Sequence, residues 1–223
     1  MLTVDCVETS GWHAAITGMR NPMNSWDKCD SMFISNSCVE LGPNDLKLAS
    51  ALANGGGPHA KFRRMINVTM VVTAPLYWWK EFDTYKIGTV ANSCSTMHKI
   101  HSKEFTIDDF SHEHLMGFND SNDCPLVELD DCDIDPEFML NLTINLLNLS
   151  RKLYLKTKDK RYWWQMIQLL PSSYNQLRNV QINYEVASEI YKWRKDHKLD
   201  EWHTFINEAI VPLPYFKELI EYS

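Results

Sequence analysis

The sequence predicts an α+β fold, and three observations carry that expectation. Residues 66–73, Ile-Asn-Val-Thr-Met-Val-Val-Thr, form a run dense in β-branched side chains, as strands are. Two long helical patterns fill much of the C-terminal half. The chain has 223 residues, 44% of them hydrophobic and 23% charged, enough for one domain spanning 1–223 with an ample core.

Along the chain, residues 2–7 alternate weakly and read as a first strand. Ser10 is placed to cap a short helix ending near Arg20. The next twenty residues are irregular and rich in Asn, Ser and Asp. Gly42-Pro-Asn-Asp45 opens a clearer helix with Asn44 as its expected cap and Gly55-Gly-Gly57 as its stop. A strand over 65–73 and a helix over 76–86 follow.

Residues 119–137 carry eight carboxylates and read as a surface loop. Asp135-Pro-Glu is a strong helix start, a capping carboxylate before proline. Met139, Leu142, Leu146, Leu149 and Leu153 then recur at spacings of 3 and 4, the expected buried stripe of a long amphipathic helix. A shorter helix over 161–169 stops at Leu170-Pro171. Residues 174–195 predict a second long helix with Leu177, Val180, Tyr184, Ala187 and Tyr191 on one stripe. Shorter helical pieces at 200–210 and 215–222 complete the chain.

A formal net charge of −7 argues against a nucleic-acid backbone binder, which needs a basic face. No apolar run approaches the roughly 20 residues that span a bilayer, and the N-terminus lacks a signal-type core, so a cytoplasmic protein with no membrane partner is expected. Six cysteines lie scattered with no Cys-x-x-Cys pair and read as reduced thiols. His112 and His114 with Cys124 and Cys132 match no standard zinc spacing, so no metal is expected.

The most telling segment is Ala74-Pro-Leu-Tyr-Trp-Trp-Lys-Glu-Phe-Asp-Thr-Tyr-Lys-Ile-Gly-Thr89, followed by Ala91-Asn-Ser-Cys-Ser-Thr96. A strand, an Ala-Pro hinge, an aromatic helix and a small-residue loop come in the order of the flavin-dependent thymidylate synthases, and the segment resembles that family. Gly57 and Phe62 fit the family block before the strand. Lys80, Glu81, Phe82, Lys86 and Thr89 are conservative replacements in its Arg-Gln-Trp-x-Arg-His-Arg-x-x-Ser pattern. Leu170-Pro171, Asn183 and Arg194 fall on a second block. The chain departs from the pattern at Thr84, Tyr85, Thr96 and Glu185, losing three arginines.

The resemblance implies a mixed or antiparallel sheet with long helices. It implies a homotetramer in which FAD and a pyrimidine deoxynucleotide monophosphate, dUMP or a relative, meet at C5 of the base, with a folate as carbon donor. By that resemblance Lys80, Tyr85, Lys86, Thr89 and Asn183 are candidate cofactor-binding residues. Glu81, Cys94, Ser95 and Arg194 are candidate substrate-binding residues, and Cys94 and Glu81 are the candidates for chemistry, Cys94 as a thiolate beside Lys86. The alternative is a catalytically silent relative kept for nucleotide binding or assembly.

Overall fold

A computed structural model describes residues 2–35, 37–118, 124–129 and 133–221. In chain order its elements are β1 (Thr3–Ser10), α1 (Trp12–Arg20), β2 (Met32–Phe33), β3 (Val39–Glu40), α2 (Pro43–Asn54), β4 (Asn67–Pro75), α3 (Leu76–Phe82), β5 (Val90–Ser93), β6 (Val127–Glu128), β7 (Asp133–Ile134), α4 (Pro136–Thr157), α5 (Lys160–Leu169), β8 (Asn175–Asn183), α6 (Tyr184–Arg194), α7 (Asp200–Phe205) and α8 (Phe216–Leu219). Helices together with one four-stranded sheet make this an α+β protein, as expected. The chain divides into two compact units, the first formed by residues 74–80 and 94–176, the second by 2–73, 81–93 and 177–223.

The second unit holds the sheet, in the order β1-β4-β8-β5. β1 runs antiparallel to β4 from Thr3 opposite Thr73 to Ser10 opposite Asn67, with a bulge between Asp5 and Glu8. β5 runs antiparallel to β8. Val68, Met70 and Val72 of β4 and Val180 and Ile182 of β8 are buried, while Thr69 and Asn179 between them are exposed. That period of two is what a half-buried antiparallel strand requires.

Several expected boundaries move, each for a visible reason. Ser10 does not cap α1, because it is the last paired residue of β1. The cap is Gly11 at φ 86, a left-handed position where a Cβ would collide with the Met65 carbonyl. Asn44 does not cap α2 either. Gly42 takes that place ahead of Pro43, and the orphan amides of Asn44 and Asp45 donate to the carboxylate of Asp30 at 2.9 and 3.0 Å.

The expected helix at 76–86 ends at Phe82, where Thr84 turns its hydroxyl back onto the Glu81 carbonyl at 2.7 Å. The expected long helix at 174–195 is instead a strand, β8, followed by a helix, α6. Leu177, Val180, Tyr184, Ala187 and Tyr191 therefore do not share one helical stripe. Pairing with β5 overrides helical spacing in the first half, and Asn183 ends the strand by capping α6, its Oδ1 accepting from Val186 N at 3.0 Å.

The first unit is built on α4 and α5. Asp135 caps α4 as expected, accepting from the amide of Phe138 at 2.6 Å. Its core gathers Ile100, Phe105, Phe110, Leu140, Ile144, Leu147 and Met166. The buried stripe of α4 is thus Leu140, Ile144 and Leu147. Met139, Leu142, Leu146 and Leu149, expected inside, are exposed by 49, 39, 44 and 52%. Asn148 fixes the rotation by bonding both the amide and the carbonyl of Phe105. Within the expected acidic loop, β6 and β7 pair as a short antiparallel ladder. Residues 119–123 and 130–132, with Cys132 among them, lie outside the described residues.

Candidate functional site

A cluster of polar side chains in the second unit forms where α3 ends and α6 ends. Arg194 donates from Nη1 to Glu81 Oε2 at 2.9 Å and from Nε to the Tyr85 hydroxyl at 3.1 Å. Its guanidinium carbon lies 4.9 Å from the centre of the Trp202 ring and 5.8 Å from that of Tyr85, distances at which a cation gains from the ring quadrupole. Trp202 Nε1 donates to the same Glu81 oxygen at 3.0 Å. His197 Nε2 stands 3.4 Å from it, an ion pair when the imidazole is protonated.

The sequence places these groups by local rules. Glu81 is on the last turn of α3, Tyr85 in the turn that follows, and Arg194 on the last residue of α6. Trp202 comes from α7 and is fully buried. Glu81, Tyr85 and Arg194 were expected in a pocket, and the structure brings all three together. Arg194 keeps Nη2 without a hydrogen bond among the described residues.

Beside Tyr85 opens a cavity of about 640 Å³, with Arg64, Lys86, Gly88, Asn183, Glu185 and Glu189 among its walls. A volume of this order suits a small-molecule site. Gly88, at φ 81, is required there, since a Cβ would come within 2.6 Å of Asn183 Nδ2.

The charges on this wall are of two kinds. Glu185 is neutralised from behind, accepting from Arg63 Nη2 at 2.6 Å and Nε at 3.0 Å. Arg63 is 1% exposed and spends Nη1 on the Leu219 carbonyl. Glu189 accepts from Trp193 Nε1 at 2.9 Å. Arg64 and Lys86 are exposed and carry no ion pair among the described residues. The wall therefore offers two free cations.

The other expected residues are placed as follows. Asn183 lines the cavity, but its carbonyl oxygen is the α6 cap. Thr89 Oγ1 is buried without a hydrogen-bond partner among the described residues. In the first unit, Lys80 is exposed. Cys94 is exposed, and its carbonyl accepts from Gln176 Nε2 at 2.6 Å. Ser95 Oγ bonds His98 Nδ1 at 2.9 Å and accepts the amides of Met97 and His98, closing a local turn. Trp78 and Trp79 are buried core residues. Among the described residues no group of three His, Cys, Asp or Glu side chains is placed to hold a metal ion.

Sequence reasoning missed Trp202 and His197, which lie more than 110 residues from Glu81 along the chain. It also missed that Arg63 answers Glu185. No spacing rule links such distant positions, and only the packing of α6 and α7 brings them in.

No protein-family model matches the chain, and no curated protein does. Among solved structures it is similar to the thymidylate synthase ThyX of Helicobacter pylori with FAD and dUMP, at TM-score 0.66 and 16% identity over 99% of this chain and 98% of that one. A second Helicobacter pylori ThyX structure, complexed with FAD and dUMP, gives 0.66 and 16% over 98% and 97%. A UMP/dUMP methylase, PolB of Streptomyces cacaoi, bound with 5-Br UMP, gives 0.58 and 11% over 93% and 86%. The chain has the fold of the ThyX thymidylate synthases.

Proposed function

We propose that the protein binds a pyrimidine deoxynucleotide monophosphate, with dUMP as the representative ligand, in the cavity beside Tyr85. The phosphate sits between Arg64 and Lys86, which both line that cavity. The observation that carries this reading is the pair of unpaired cations on one cavity wall in a chain of net charge −7. A dianionic monoester is the ligand such a pair matches. The shared fold supports it, because the similar structures hold dUMP or 5-Br UMP.

A flavin fits this wall poorly. FAD adds a diphosphate, and Thr84, Thr96 and Glu185 stand where the resembled family has arginine. Two free cations do not balance a diphosphate and a nucleotide phosphate together, so FAD belongs to this reading only as a ligand completed by a second copy of the chain. A homo-oligomer, a tetramer by resemblance, is part of the proposal for that reason. No residue described here calls for a folate.

Thermal denaturation with and without dUMP tests the reading. Saturable stabilisation is expected, and the Arg64→Ala/Lys86→Ala double variant should lose it while melting normally without ligand. A melting temperature indifferent to dUMP would refute the proposal. Titration with FAD followed by visible absorbance separates a flavoprotein from a nucleotide-only protein.

One observation favours binding without turnover. Glu81, one of the two candidates for chemistry, has its Oε2 occupied by Arg194 and Trp202, with His197 alongside. Release of tritium from 5-tritiated dUMP distinguishes the two: turnover at C5 releases it, and silent binding does not.

A further inference from the structure

We infer that the second unit holds a separate site for a small amphiphile, an aliphatic chain ending in one carboxylate, between α1, α2 and the short 3-10 helix His59–Met65. The site stands independently of the nucleotide reading. Its cavity is about 960 Å³, larger than the one beside Tyr85 and of the size that buries a whole small ligand.

Helical spacing builds the walls. Ala14, Thr17 and Gly18 share one face of α1, and Leu48 and Leu52 lie a turn apart on α2. Side chains three apart eclipse in a 3-10 helix, so His59, Phe62 and Met65 form one ridge and Pro58 with Lys61 the next. Met19, Met23 and Met65 add three thioethers, the side chains that adapt best to an irregular apolar ligand. Met23 is 81% and Met65 45% exposed, so apolar surface is left open to water at the rim. The buried Arg20–Asp45 pair ties α1 to α2 at 2.6 Å, which holds the walls in place before a ligand arrives.

The polar groups of the wall select the head group. Thr17 spends its hydroxyl on the His13 carbonyl at 2.7 Å. Asn21 accepts from Trp26 Nε1 at 2.8 Å, and Ser25 accepts from Arg20 at its carbonyl and its hydroxyl. His59 and Lys61 are the titratable side chains among the described residues of this wall, and no carboxylate answers them there. Both are exposed, and neither side chain makes a hydrogen bond or ion pair among the described residues. One ammonium beside one imidazole on an otherwise apolar surface matches a monoanion carried on a hydrocarbon body. The carboxylate pairs with Lys61 and His59, and the chain lies against Phe62, Leu52 and the methionines.

Calorimetric titration of the full chain with decanoate, held below its micelle concentration, tests the site. Saturable binding is expected, with a melting temperature that rises as decanoate is added. Decanol has the same chain without the charge and should bind about tenfold more weakly. Lys61→Ala should remove that difference and leave decanol binding as it was. Gly18→Leu should abolish the binding of both, because space lies open over Gly18: a Cβ there meets only Met65 Sδ, at 3.6 Å. Leucine is also the better helix former, so this variant should keep its far-ultraviolet circular dichroism and its response to dUMP. A chain that takes up no decanoate, melts lower in its presence, or binds it undiminished after Gly18→Leu overturns the site. Equal affinity for decanoate and decanol overturns the anionic head, and a folded Gly18→Leu variant that loses its dUMP response overturns the separation of the two cavities.

Discussion

Arg63 and Arg64 are neighbours in the chain with opposite circumstances. Arg63 is 1% exposed and saturated, gripping Glu185 with two nitrogens and the Leu219 carbonyl with a third. Arg64 is exposed on the cavity wall with no ion pair among the described residues. One guanidinium holds the fold and the next is free to hold a ligand. The difference teaches that a count of arginines says little about phosphate binding until each has been assigned its partner.

Breaking the first arrangement should have the largest effect. Arg63→Met leaves Glu185 facing a cavity without its counter-ion, and a loss of about 3–5 kcal/mol of unfolding free energy is expected in urea denaturation. Glu185→Gln keeps the shape and removes the charge, so about 1–3 kcal/mol is expected by the same measurement. A result near zero for both would mean that Arg63 is solvated in solution.

The second arrangement should respond in the opposite sense. Arg64→Ala and Lys86→Ala should each change stability by less than about 0.5 kcal/mol, as surface substitutions do. Each should weaken dUMP binding by about tenfold, the equivalent of about 1.4 kcal/mol. Calorimetric titration showing unaltered affinity would remove the phosphate from this wall.

The smallest effect is a slope with pH, and it comes from a second buried pair in the same unit. Asp45 is fully buried. Burial pushes its carboxyl up, but the Ser31 hydroxyl, the Arg20 guanidinium, the Cys29 thiol and the Asp30 amide together hold it below the usual carboxylate value. A carboxyl whose folded value is depressed contributes stability above its unfolded value of about 3.9, and that contribution is lost as pH falls through the folded one. Stability should therefore decline more steeply below about pH 4 in the wild type than in Asp45→Asn. Equal slopes would show that the pair does not set acid stability. The Cys29 thiol is pushed up by burial, with Asp45 adding to the effect, so alkylation at neutral pH should reach it after Cys6, Cys38 and Cys94.

How much could be read in advance varies by element. Helix α4 was legible in start, length and cap because Asp135-Pro136 is a local signal. Its buried face was not, since two apolar stripes satisfy the same periodicity and only the Phe105–Asn148 bonds choose between them. β8 was misread because Leu177, Val180 and Tyr184 fit a period near 3.6 until β5 pairs alongside. In the candidate site, Glu81, Tyr85 and Arg194 were singled out through the resemblance, and the structure shows that they meet in one cluster. Trp202 and His197 carried no signal, because nothing local marks a residue that will meet another at such separation.

By itself the sequence determined the α+β class, the order of the strands and helices around the Ala74-Pro75 hinge, and the stops at Gly55 and Pro171. These follow from backbone chemistry within a few residues: a missing Cβ, a missing amide, a capping carboxylate. Tertiary structure alone decided which face of α4 is buried, where β8 replaces a helix, and which cations are committed and which are free. Those outcomes depend on side chains meeting across loops of tens to more than a hundred residues, and the energy of such a meeting is not written at either end.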